Sequence, residues 1–161
     1  ASIAVLSNFE LKPKDLIVGA KKFTGVKRRL EYLGQFSEID LFDDFAHHPT
    51  SIKASIAAVK STLDSSSLYA VVELASNTMK KGSLKSELKK SFVDVDYAWI
   101  LNSGNIQWDI REEFAEIENV AILKTLVDLP DQVQSKIKPG DSLIIMTNSD
   151  SMRIRNVLKK K

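Results

Sequence analysis

The chain contains no cysteine among its 161 residues. Disulfides, zinc–thiolate centres and cysteine nucleophiles are therefore excluded, and the composition suits a reducing, cytoplasmic setting. Charge of one sign is also lacking. The 23 basic and 21 acidic side chains leave a formal net charge of only +2, too little to argue for a nucleic-acid partner. The lysine-rich segment from Lys80 to Lys90 and the tail from Lys159 to Lys161 read as a solvated helix face and a frayed end. No apolar run approaches the ~20 residues that span a bilayer, which argues against a membrane partner, and no basic-then-apolar leader opens the chain. Three signatures are missing as well: the GxxxxGK[ST] phosphate loop, the GxGxxG fingerprint and the GxSxG nucleophile elbow. Whatever anion this chain meets, it carries no self-contained triphosphate cradle.

What is present is an ordinary globular composition, 43% hydrophobic and 27% charged, in a length that fits one domain or one domain plus a remnant of another. The chain opens on Ala1 in mid-pattern, as a segment cut from something longer would. Residues 1–23 read as two short helices broken near Lys12-Pro13-Lys14. Alternating residues over 28–44 predict a β-hairpin bent at Gly34, with a helix starting at Pro49. Continuous apolar runs then predict strands at Leu68–Leu74, Tyr97–Leu101, Val120–Leu123 and Ser142–Met146. Helical spacing separates them at Leu84–Phe92, Ile110–Ile117 and Leu126–Ile137, the last capped by Asp128, and a helix Met152–Leu158 follows. Strands alternating with helices predict an α/β fold: a Rossmann-like, mostly parallel sheet with helices on both faces and an antiparallel edge hairpin. Ligands of such sheets bind beyond the carboxyl ends of the strands.

Three clusters sit at such positions or at a strand's start. Lys27-Arg28-Arg29 crowds three cations, a phosphate clamp or a basic edge that resists aggregation. In an extended strand Arg28 and Arg29 would face opposite ways. Asp43-Asp44-Phe45-Ala46-His47-His48 lies where a strand gives way to a helix. By the same alternation only one aspartate can share a site, and Asp44 is nearer the end. It could accept hydrogen bonds from ribose hydroxyls, or simply cap helix amides. His47 and His48 are adjacent and point apart, which disfavours joint ligation of one metal, so no metal site is assigned. Ser76-Asn77-Thr78, with Lys80, offers donors and acceptors suited to a peptide, or a turn and helix cap.

In order and separation, GVKRRLE at Gly25–Glu31 and DDFAHHPT at Asp43–Thr50 resemble the opening motifs of the third domain of Mur ligases. SNTMK at Ser76–Lys80 resembles the murein peptide ligase branch of that family. The resemblance implies that residues 23–161 form a Mur ligase carboxy-terminal domain and residues 1–22 the last helices of a central ATPase domain. It implies an enzyme, an ATP-dependent ligase of peptidoglycan recycling that uses ATP and magnesium. Those two would be held mainly by the central domain, with UDP-N-acetylmuramate and the tripeptide L-alanyl-γ-D-glutamyl-meso-diaminopimelate as substrates. In the family, ATP converts a carboxylate to an acyl phosphate that the incoming amine attacks. Arg29 matches the arginine that reaches the ATP phosphates, Asp44 the aspartate at the ribose, and His47 its neighbour. Ser76, Asn77, Thr78 and Lys80 match the region that receives the peptide. A muramate–alanine ligase domain and a non-catalytic Rossmann-like binding module are the alternatives. Two departures stand out. Leu74-Ala75 replaces a Pro-Arg pair, removing a cation for a peptide carboxylate, and Thr147–Met152 replaces a glycine-rich turn.

Overall fold

The computed structural model describes residues 5–6, 9, 11–23, 25–102 and 104–159. The first predicted amino-terminal helix lies largely outside them, as does the end of the lysine tail. The second is helix α1, Pro13–Lys21, which starts with proline at its first turn, where the missing N–H costs nothing.

The expected α/β sheet is the observed one. Strands β1 (Glu31–Phe36), β2 (Ile39–Asp44), β3 (Leu68–Glu73), β4 (Tyr97–Leu101), β5 (Val120–Leu123) and β6 (Ser142–Met146) form a single sheet in the order β1-β2-β6-β3-β4-β5. Only β1 runs antiparallel to its neighbour. The last strand of the chain thus lies between β2 and β3, with Asp44 level with Met146 and Val72 level with the same residue.

The helices are α2 (Pro49–Lys60), α3 (Asn77–Lys81), α4 (Lys85–Lys90), α5 (Ile110–Glu113), α6 (Leu129–Lys136) and α7 (Ser151–Leu158). Side chains alternate across a strand, so each central strand feeds two cores. Ala70, Val72, Ala98, Ile100, Ile144 and Met146 pack against α2 to α5 through residues such as Ile52, Ile56, Leu88 and Phe114. Leu41, Val71, Trp99, Leu143 and Ile145 pack against α6 and α7 through Leu129, Val133, Ile154 and Leu158. Each fully buried aliphatic side chain contributes about 1.5–3 kcal/mol, and β6 is buried along its whole length.

Three details correct the sequence reading. The hairpin does not bend at Gly34. It turns at Ser37 and Glu38, whose φ angles of 51° and 64° are both left-handed, as a two-residue type I′ turn requires. The turn is held from outside: the Glu38 carbonyl accepts the Gly140 N–H at 2.8 Å, and the Asp40 N–H donates to the Asp141 carbonyl at 3.0 Å. Gly34, at φ 86°, sits within β1 where the register shifts between Tyr32 and Gln35, a bulge that a glycine accommodates. The predicted helix at Leu84–Phe92 is shorter and preceded by α3, whose amino end Ser76 caps by accepting the Met79 N–H at 3.4 Å. Asp128 flanks α6 without a side-chain capping bond; its carboxylate instead accepts the Thr125 hydroxyl at 3.2 Å.

Between α3 and α4, Gly82 adopts φ 76° and lies flat against Trp108, whose indole N–H donates to the Met79 carbonyl at 2.9 Å. A Cβ at Gly82 would lie 2.6 Å from Trp108 Cδ1. Gly82→Ala is expected to cost roughly 2–4 kcal/mol, from left-handed strain and overpacking together. Urea unfolding checks this: the midpoint should fall at unchanged slope.

Candidate functional site

The carboxyl ends of β2, β6 and β3 lie side by side, and the first site grows from the end of β2. Asp44 is buried. Its Oδ2 accepts the Leu30 N–H and its Oδ1 the Ala46 N–H, each at 2.6 Å. One carboxylate thereby holds the basic turn before β1 to the loop after β2. That turn is strained, with Arg28 at φ 57° and Leu30 at φ 48°, conformations that side chains of this bulk seldom adopt. Other bonds hold it in place. The Phe45 N–H donates to the Arg28 carbonyl at 2.8 Å, the Arg28 N–H to Glu31 Oε2 at 2.8 Å, and Arg28 Nη2 to the Thr147 carbonyl at 2.6 Å.

The turn also overturns the expectation that Arg28 and Arg29 face opposite ways. Neither is in a strand, and their guanidinium carbons lie 5.2 and 5.3 Å from the centroid of the Phe45 ring, within cation–π range. Their roles diverge all the same. Arg28 is half-buried and committed to the interior. Arg29 is exposed, and no carboxylate among the described residues pairs with it. His47 meets the same ring edge-on at 5.3 Å. Its Nδ1 lies 2.8 Å from the Phe45 carbonyl; donation there fixes the tautomer and leaves Nε2 as an acceptor. Phe45 is thus the platform on which three predicted or neighbouring residues converge. The signal was an aromatic residue between Asp44 and His47, a position that propensity alone does not distinguish. His48 instead flanks the amino end of α2 as its cap, its N–H donating to Ser51 Oγ at 3.2 Å.

Ser76, Asn77, Thr78 and Lys80 lie beyond β3, with Asn77 and Thr78 exposed and Lys80 half-buried. They are not in the Asp44 cluster. One strand, β6, separates β3 from β2, so the two loops flank its end two strand spacings apart, roughly 10 Å.

Two further carboxylates, Asp43 and Glu73, are buried on the opposite face; Asp43 was set apart from Asp44 by alternation, and what escaped the sequence was their partners. Asp43 accepts the Ser151 hydroxyl at 2.5 Å and lies 3.6 Å from Arg28 Nε and 3.9 Å from Arg155 Nη1. Glu73 accepts the Thr147 hydroxyl at 2.7 Å on one oxygen and an Arg153 N–H on the other. Apart from Arg28, these partners come from the last loop and helix, so no local spacing could have revealed them. Among the described residues no group of three His, Asp or Glu side chains gathers as a metal site would need, and no helix is long and apolar enough to cross a membrane.

Residues 28–148 match the Mur ligase, glutamate ligase domain. The chain belongs to that family. It is 34% identical over 149 residues to the UDP-N-acetylmuramate–L-alanyl-γ-D-glutamyl-meso-2,6-diaminoheptandioate ligase of Escherichia coli K12, covering 91% of this chain and 33% of that protein. The chain therefore spans about a third of the length of these curated relatives. Among solved structures it is similar to a murein peptide ligase from Psychrobacter arcticus, at TM-score 0.75 and 30% identity, covering 97% of this chain and 34% of that one. A domain from a putative ligase of the same kind from Haemophilus ducreyi aligns at TM-score 0.66 and 30% identity, covering 81% of this chain and 97% of that chain.

Because Asp44 satisfies two backbone N–H groups at once, Asp44→Ala is expected to destabilise this chain by about 1–3 kcal/mol before any ligand is considered. Chemical denaturation of the two proteins without nucleotide measures it.

Proposed function

We propose that this chain is the closing, peptide-receiving domain of an ATP-dependent ligase. The full enzyme joins UDP-N-acetylmuramate to L-alanyl-γ-D-glutamyl-meso-diaminopimelate through an acyl phosphate, in peptidoglycan recycling in the cytoplasm. Residues 1–22 are then the end of a central ATPase domain and residues 23–161 the carboxy-terminal domain. The observation that carries the reading is Arg29: an exposed cation without a carboxylate partner, on a strained turn that Asp44 anchors. Similarity to ligases of this substrate class supports the choice of substrates.

The residues fit a nucleotide's chemistry. The open guanidinium of Arg29 suits phosphate oxygens. Each oxygen of Asp44 spends one lone pair on an amide and keeps another for a hydroxyl donor. His47 Nε2 is a third acceptor beside them. ATP supplies the phosphoryl group that activates the muramate carboxylate. This domain's part is to bring Arg29 against phosphates held by another domain, so that its charge acts only on closure. Ser76, Asn77, Thr78 and Lys80 orient the peptide whose amine then displaces phosphate. Magnesium, on this reading, is held by the central domain.

The test compares ATP consumption by the full-length ligase and by this chain, with both substrates present. Turnover is expected from the former alone; turnover by this chain would refute the division of labour. In the full-length enzyme Arg29→Ala is expected to lower kcat at least about tenfold, or about 1.4 kcal/mol. A full-length enzyme that prefers free L-alanine to the tripeptide would overturn the substrate assignment.

A further inference from the structure

Beyond β4 and β5, on the far side of β3 from the Arg29 cluster, lies a cleft of about 410 Å³. Asn102, Gly104, Lys124, Thr125, Leu126 and Arg153 line it. Two of these are cations and none is acidic; the two carboxylates bonded to lining residues are already engaged, Asp128 by the Thr125 hydroxyl at 3.2 Å and Glu73 by Arg153. The Oδ1 of Asn102 accepts the Gly104 N–H at 3.0 Å. That fixes the amide and leaves its NH2 as a donor without a partner among the described residues. The inner walls of the cleft thus offer positive charge and N–H groups.

Arg153 is the distinctive member. Glu73, 1% exposed, holds it by one oxygen, and the Thr147 hydroxyl occupies the other. A carboxylate buried so fully must be paired, so the guanidinium is pinned on one edge. The side chain is nevertheless 42% exposed, and a guanidinium has five donors in a planar fork. A cation fixed on one edge and open on the other is preorganised for a second carboxylate.

We propose that this cleft binds the carboxylate-bearing end of an acidic peptide acceptor, with Arg153 as the specificity-determining residue. This rests on the peptide-ligase reading above. The lengths agree: β6 to β4 is two strand spacings, roughly 10 Å, and an extended tripeptide spans at most roughly 11 Å. A peptide whose amine lies at the end of β6 therefore sets its far carboxylates at β4. The chain leaving β3 starts along that path, its Leu74 N–H bonding the Leu101 carbonyl at 3.4 Å. Arg153 also supplies the cation that Leu74-Ala75 lacks.

The test is amide and arginine-Nε NMR on this 161-residue chain, titrated with L-alanyl-γ-D-glutamyl-meso-diaminopimelate and with the same peptide bearing carboxamides on its diaminopimelate. Shifts are expected at Asn102, Gly104, Thr125 and Arg153 Nε. Affinity should fall at least about tenfold for the carboxamide peptide and for Arg153→Met. Arg153→Met leaves Glu73 unpaired, so the double variant Glu73→Gln/Arg153→Met, which removes both charges, serves if the single variant unfolds. Lys124→Met should weaken binding without touching Glu73. Shifts confined to Ser76–Lys80, no shifts at millimolar peptide, or undiminished affinity of the carboxamide peptide or of the double variant would each overturn the proposal. The two readings fail separately. A full-length enzyme that ligates the tripeptide while the cleft stays silent sinks only this inference; preference for free L-alanine sinks the substrate assignment.

Discussion

The structure depends on β6. Strands β2 and β3 do not touch; the last strand of the chain fills the gap, pairing with both over five registered positions each. Every side chain of β6 is buried, alternately in one core or the other. The hairpin with its basic turn and the crossover units with their Ser76 loop are therefore joined through a segment about a hundred residues from the hairpin. That placement is also what sets the Asp44 and Ser76 loops on either side of one strand end.

A second theme is how carboxylates are used at that end. Asp43, Asp44 and Glu73 are all buried, which is costly unless each is satisfied. They are met differently, and Asp43 Oδ1 has only charge nearby, with no hydrogen-bond partner among the described residues. Asp44 binds backbone N–H groups and shapes a turn. Asp43 takes a serine hydroxyl with two arginines at longer range. Glu73 takes a threonine hydroxyl and Arg153. Charge is thus left open on the cationic side: Arg29 at one end of the row and, at the other, Lys124 beside the edge of Arg153 that Glu73 does not hold. The rim of the sheet offers two separate places for anions, with the polar loop from Ser76 between them.

The strands were legible because four of them are continuous apolar runs, largely buried in β3, β4 and β6 and half-buried in the edge strand β5, and too short for helices. Tyr97–Leu101, Val120–Leu123 and Ser142–Met146 have the expected bounds. The hairpin bend was misplaced because glycine is the usual left-handed residue. Ser37 and Glu38 take that conformation under tertiary bonds from Gly140 and Asp141 that no local pattern encodes. Helix α3 was hidden because its cap, Ser76, reads equally well as a binding residue. In the site, alternation separated Asp43 from Asp44 correctly and failed for Arg28 and Arg29, since they lie in a turn. Glu73 was visible as a residue; its partner Arg153, eighty positions later, was not.

The central position of the last-made strand has a consequence for biosynthesis. Until Ser142–Met146 leaves the ribosome, the hairpin and the β3–β4–β5 unit each present an open edge of unpaired N–H and C=O groups, a template for pairing with other chains. Nascent chains of this domain thus remain adhesive until almost all of it has been translated. A ribosome stalled late in the domain would leave two sticky half-sheets rather than a partly working one.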